Sequence, residues 1–289
     1  MISLDGATVL LQWAVGGLFW LWVTTRRREV GLGYGWLLRS VFIALAIGAL
    51  AVGLAFDTVP VREASTVGVI VATSVALAVS VVRKRAGVSG HRAEHDRRTE
   101  RVAAMTGIDR PVDDGHGSSA DDFGPEFPPG LDLVAPLIGI VGLVAAGVAA
   151  GGPAPLAIAR TVVGAAFLGV VTDAMLLGHW YLVQPGLSRG PLNELVRWLE
   201  WIWPVELVVL IWPVGMLSVL SGSVDDGWNG TLGWMWVACA VTTIGLAIAT
   251  RAALRERQYS AVMAATGLLY LAILTAFGMD LVARAVLAG

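Results

Sequence analysis

Apolar runs of about 17 to 29 residues recur along the whole chain, and nothing else in the sequence limits the fold so strongly. Eight are discernible, at roughly 7–23, 36–56, 64–82, 131–151, 155–183, 198–220, 231–250 and 260–283. At a rise of 1.5 Å per residue, each is long enough to cross a hydrocarbon core of ~30 Å. No water reaches backbone amides there, so the runs are expected to be helices rather than open strands. The expected fold class is all-α, a polytopic bundle of eight transmembrane helices in a lipid bilayer. Only 15% of the residues are charged, against about 25% in a soluble domain.

Arginine and lysine set the expected orientation. The connections after spans 1, 3, 5 and 7, with Arg39 at the mouth of span 2, hold 17 of the 20 basic residues. The opposite side has Arg62, Arg160 and Arg284. Such an asymmetry places the basic side in the cytoplasm and both termini outside. The start, "MISLDGATVLLQW", lacks a basic leader and a small-residue cleavage site, so the first run is read as a retained helix. Arginine outnumbers lysine 19 to 1. That bias reflects GC-rich coding and points to a bacterial plasma membrane protein.

Three segments follow along the chain: spans 1–3 in residues 1–82, an insert at 83–130, and spans 4–8 in 131–289. The insert begins basic and ends as "PVDDGHGSSADDFGPEFPPG". A sequence so poor in apolar residues cannot bury a core, so the insert is expected to be largely disordered. Its basic half is expected to lie against anionic headgroups. Small residues four apart, Ala49 with Gly53, Gly147 with Gly151 and Ala165 with Gly169, are expected to let helices approach closely. One cysteine, Cys239, excludes an internal disulfide framework and a cysteine-ligated cluster.

The chemistry concentrates on spans 5 and 6. Asp173 lies about 20 Å down its helix from Arg160, and Glu206 about 12 Å along the returning span from Trp198. The two carboxylates are thus expected at similar depth on adjacent helices. Each costs about 2.5–3.5 kcal/mol to insert, and buried acids of this kind face a bundle interior or a wet pathway. Asp173 and Glu206 are therefore the candidate proton relay. Near the basic turn, His179, Trp180 and Tyr181 meet Glu200 and Trp201 across the connection. Histidine and carboxylate walled by indoles form a candidate quinone site, with the imidazole holding a carbonyl and exchanging a proton. The competing reading is an aromatic belt at headgroup level.

A bis-histidine haem is not expected, because His179 is the one histidine in a span and Met175 shares its helical face. No metal site is expected. "HRAEH" places His91 and His95 one turn apart, but in the insert and without a further ligand pair. Asp280 and Arg284, also one turn apart, read as a snorkelling pair. Gln12 could bond a neighbouring helix. "NGT" at Asn229 matches a glycosylation sequon. Pro204 and Pro213 are expected to kink span 6 twice and to free the carbonyls of Glu200 and Val209. No nucleotide fingerprint or nucleophile elbow is present, and no nucleic-acid partner is expected.

The leading functional expectation is a membrane subunit of a respiratory assembly, partnered by membrane or peripheral redox subunits. It would bind a quinone, support electron transport and relay protons. The alternatives are a proton-coupled small-solute transporter and a non-catalytic membrane scaffold.

Overall fold

A computed structural model of the chain describes residues 4–84, 126–184, 187–256 and 258–287. The described residues form helices and connections, without a strand. The helices are α1 (Gly6–Thr25), α2 (Leu32–Ala55), α3 (Pro60–Val82), α4 (Leu131–Ala149), α5 (Ala154–Val183), α6 (Gly190–Ile211), α7 (Gly215–Leu220), α8 (Thr231–Arg255) and α9 (Tyr259–Leu287). Seven of them, all but α6 and α7, are long and apolar enough to cross a membrane. Most of the insert, and with it "HRAEH" and the acidic tract, falls outside the described residues.

Span 6 differs from its expectation. Pro204 stays inside α6, while Pro213 falls in the break that separates α6 from the short α7. Helix α6 also starts at Gly190, eight residues earlier than expected, because Pro191 suits the first turn, where its missing N–H bonds nothing. It is 22 residues long but carries Glu194, Arg197, Glu200 and Glu206, too many charges to read as a simple apolar span.

Alternating helix directions give the bundle two ends. One, the terminal end, carries the start of α1, the end of α9 and the α2–α3 and α4–α5 connections. The other, the turn end, carries the α1–α2, α5–α6 and α8–α9 connections. Helix α1 lies at the centre, packed on α2, α4 and α5, with fourteen of its twenty residues buried. Helix α5 in turn touches α1, α4, α6 and α9. The helices of 1–82 and those of 131–289 therefore share one core.

Glycine makes the α1–α5 contact possible. A Cβ on Gly16 would lie 1.7 Å from the carbonyl oxygen of Ala165, and one on Gly169 would lie 2.2 Å from the Gly16 carbonyl carbon. Indole donors then lock the pair: Trp13 to Thr172 Oγ1 at 2.9 Å and Trp20 to the Ala166 carbonyl at 2.8 Å. Of the three small-residue pairs, Ala165/Gly169 sits in this contact. Gly147 packs on the Ile158 backbone of α5, and Gly53 makes room for the Glu63 carboxylate of α3. Gly151 does no packing; it is a turn residue with φ of 80°.

Among the described residues, the basic turn end is largely paired with protein. Arg26 and Arg27 bind Glu194, Arg28 binds Glu126 at 2.7 Å, and Glu29 accepts from Ser188 at 2.8 Å. Just inside, Arg39 and Asp132 form a two-bond pair at 2.8 and 2.7 Å, both side chains buried, with Phe127 stacked on the guanidinium. The last residues of the insert are thus docked on the bundle.

Candidate functional site

Among the described residues four buried carboxyl groups have an oxygen that no protein donor reaches: Glu63, whose other oxygen is held by Arg62, and Asp173, Glu206 and Asp280. Asp173, Glu206 and Asp280 are each fully buried. Both oxygens of Asp173, both of Glu206 and Oδ1 of Asp280 have no donor among the described residues, and Glu206 and Asp280 lie within hydrogen-bonding reach of each other if one carries a proton. A buried acceptor without a donor is unfavourable unless it takes up a proton or another ligand.

The structure separates Asp173 from Glu206. Asp173 is ten residues before the end of α5, about 15 Å from the turn end, and Glu206 is sixteen residues into α6, about 24 Å from it. The expectation of equal depth fails because α6 begins eight residues early. Different neighbours follow. Asp173 sits by the buried Tyr34, whose hydroxyl reaches the Asp173 backbone carbonyl at 3.4 Å, with Thr24 and Tyr181 also acting on that hydroxyl. Glu206 instead feels Asp280, Arg284 and Arg160, in that order.

The Glu206 environment is a polar cluster built from four helices. Arg284 Nε donates to Asp280 Oδ2 at 2.7 Å, and its Nη2 to the Arg160 carbonyl at 2.8 Å. Gln12 Nε2 donates to the Thr161 carbonyl at 2.6 Å, leaving its own Oε1 buried and unpartnered. Arg160 Nε and Nη2 donate to the carbonyls of Val209 and Trp212, at 2.9 and 2.8 Å. Gly164 clears the space: a Cβ there would meet Arg284, Asp280 and Gln12 all within 3.0 Å. Asp280 and Arg284 thus pair as expected, but buried within this cluster rather than on an exposed face. Sequence reading missed this cluster. Its signal was the scarcity of arginine on that side, since two of the three basic residues there converge on it.

Beside the cluster, at the terminal end, lies a cavity of about 130 Å³. It is lined by Thr8 and Asp5 at the start of α1, Ala146 of α4, Ala157 and Arg160 of α5, and Arg284 of α9, among others.

The five candidate quinone residues do not close on one another. His179 is exposed on the bundle surface, its Nδ1 3.2 Å from the hydroxyl of Tyr270 on α9. Trp180 points the other way, against Tyr34 of α2, and donates to Gln184 at 3.0 Å. Tyr181 is buried and bonds the Ser188 carbonyl. Glu200 pairs with Arg251 of α8 at 2.6 Å, and Trp201 is exposed. The physical reason is the helical period: consecutive residues on one helix diverge by about 100° and cannot wall one ring. Among the described residues no group of three or more His, Cys, Asp or Glu is placed to hold a metal ion.

Outside the helices, Asp226 in the α7–α8 connection accepts from the backbone N–H groups of Trp228, Gly230 and Leu232 at 2.8–2.9 Å. Partial desolvation pushes its pKa up, but these donors together outweigh it and hold the carboxyl below the usual range. No family model matches the chain, and no curated protein or solved structure matches it either.

Proposed function

We propose that this chain is a proton-coupled membrane transporter in which Asp173 and the Glu206–Asp280 pair are two proton-holding stations. The observation that carries the reading is the set of fully buried carboxyl oxygens without donors at two levels of one helical core. In a structural role such groups find partners; unpaired, they favour a proton and mark a pathway. The inner station adjoins Tyr34, Thr24 and Tyr181, whose hydroxyls lead toward the turn end. The outer station adjoins the cavity. Seven long apolar helices support a multi-pass protein. With α6–α7 as an eighth crossing, the arginine-rich turn end lies in the cytoplasm of a bacterial cell and both termini lie outside.

The test uses the full-length protein in liposomes with an internal pH dye. An imposed membrane potential and a panel of cationic, neutral and anionic small solutes would drive flux. At least one solute should promote proton entry, reduced at least about tenfold in Asp173→Asn and Glu206→Gln at unchanged folding. No dye response above empty liposomes for the whole panel overturns the reading.

The redox-subunit reading is second and rests on the Tyr270–His179 contact. A lipid-soluble quinone would lie on the bundle surface there, its carbonyl between hydroxyl and imidazole. Gentle purification from the native host decides it: redox subunits and a bound quinone in fixed ratio would support it, and a protein that arrives alone would not.

A further inference from the structure

We infer that the cavity between α1, α4, α5 and α9 binds a short-chain monocarboxylate, and that its binding and the protonation of Glu206 reinforce each other. This rests on the transporter reading and names its solute. Two sets of unpaired groups meet at this point. Arg160 and Arg284 each spend Nε and Nη2 on protein acceptors, so Nη1 of each has no acceptor among the described residues, and both residues line the cavity. On the inner side of the same two guanidinium groups are the donor-less oxygens of Glu206, Asp280 and Gln12. The cavity thus offers donors to an anion, while the core behind it offers acceptors to a proton.

The walls choose among anions. Two Nη1 groups, one from each guanidinium, match the two oxygens of a carboxylate better than a spherical ion. Leu4, Val9, Ala146, Ala150, Ala157 and Leu287 line the rest, an apolar surface for a short alkyl group. A volume of about 130 Å³ admits a few heavy atoms and no larger solute. Asp5 at the rim does not repel the ligand strongly, because Arg62 holds it at 2.7 Å and Thr8 donates to it.

Coupling follows from shared charge. The groups facing Glu206 are Arg160 from α5 and Asp280 and Arg284 from α9. Burial and Asp280 favour the neutral Glu206 acid, and the two guanidinium charges are what oppose them. A bound carboxylate draws on those same charges and shifts the balance further toward the neutral acid, so anion and proton favour each other. By linkage the effect is reciprocal, and a coupling of about tenfold is ordinary.

The experiment adds potassium lactate to the detergent-solubilised full-length protein in weak buffer with a pH dye, against potassium chloride. Scanned over pH, lactate should bind saturably and withdraw up to about half a proton per chain from solution, as a tenfold coupling allows, and chloride should not. Glu206→Gln should still bind lactate but take up no proton. Ala157→Leu fills the cavity while leaving both arginines in place, and should weaken lactate at least about tenfold at unchanged thermal stability. Absence of saturable lactate binding, binding without proton uptake, or wild-type binding in Ala157→Leu each overturns the inference. Proton flux with another solute would leave the wider transporter reading standing, and loss of all flux would remove both.

Discussion

Arg160 donates its Nε to the carbonyl of Val209 at 2.9 Å, and Val209 is the residue whose helical donor is missing because position 213 is proline. A helix broken in hydrocarbon must have its freed carbonyls satisfied by a neighbour. Here the neighbour is a charged side chain that also belongs to the Glu206 cluster, so the break in span 6 and the site are one construction. Arg160→Met should leave Val209 bare at a cost of about 1–3 kcal/mol. Thermal unfolding in detergent reads this, and an unchanged midpoint would show that the carbonyl is satisfied some other way.

The α1–α5 contact makes a sharper prediction. Gly16→Ala or Gly169→Ala puts a methyl group into opposing backbone, which cannot rotate aside. Overpacking of that kind costs about 1–3 kcal/mol or more. Gly267→Ala on α9 is the control, since its added methyl meets nothing within 4 Å and should stay within about 0.5 kcal/mol of wild type. Equal effects at Gly16 and Gly267 would contradict the packing.

Asp226 predicts a pH dependence with a definite sign. Its folded pKa lies below the unfolded value of about 3.9, so its contribution is present above that value and lost as pH falls through the folded one. The amides of Trp228, Gly230 and Leu232 should therefore resist hydrogen exchange at pH 5 and above and lose protection in stronger acid, beyond the intrinsic trend. Asp226→Asn should remove that dependence. Protection that ignores both acid and the substitution would mean that the backbone alone holds the turn.

What the sequence makes legible divides along physical lines. Apolar length finds helices, since a run of twenty such residues has few alternatives in lipid, and seven long apolar helices appear where they were expected. Insertion cost singles out Asp173 and Glu206 as unusual, and both are buried. Helix rotation and register are not written in composition. Eight extra residues at the start of α6 moved Glu206 about 12 Å along the bundle, away from Asp173 and toward Asp280. The indoles around His179 looked like one wall because they are adjacent in sequence, although neighbours on a helix face apart. Gln12, Asp280 and Arg284 each had an ordinary explanation alone; only their meeting around Gly164 gives them a role.

The last prediction separates a working carboxyl from a structural one by opposite movements of two readouts. Asp173 keeps two acceptor oxygens in the core without a protein donor, an arrangement that lowers stability by about 1–3 kcal/mol relative to an apolar side chain that fits. Asp173→Val should therefore unfold at the same temperature as wild type or higher, while proton-coupled flux in liposomes falls to the level of Asp173→Asn. A residue retained for folding behaves the other way: its removal lowers the midpoint, and any loss of flux tracks loss of folded protein. A destabilised Asp173→Val with wild-type flux would take Asp173 out of the pathway and leave the Glu206–Asp280 pair as the only station.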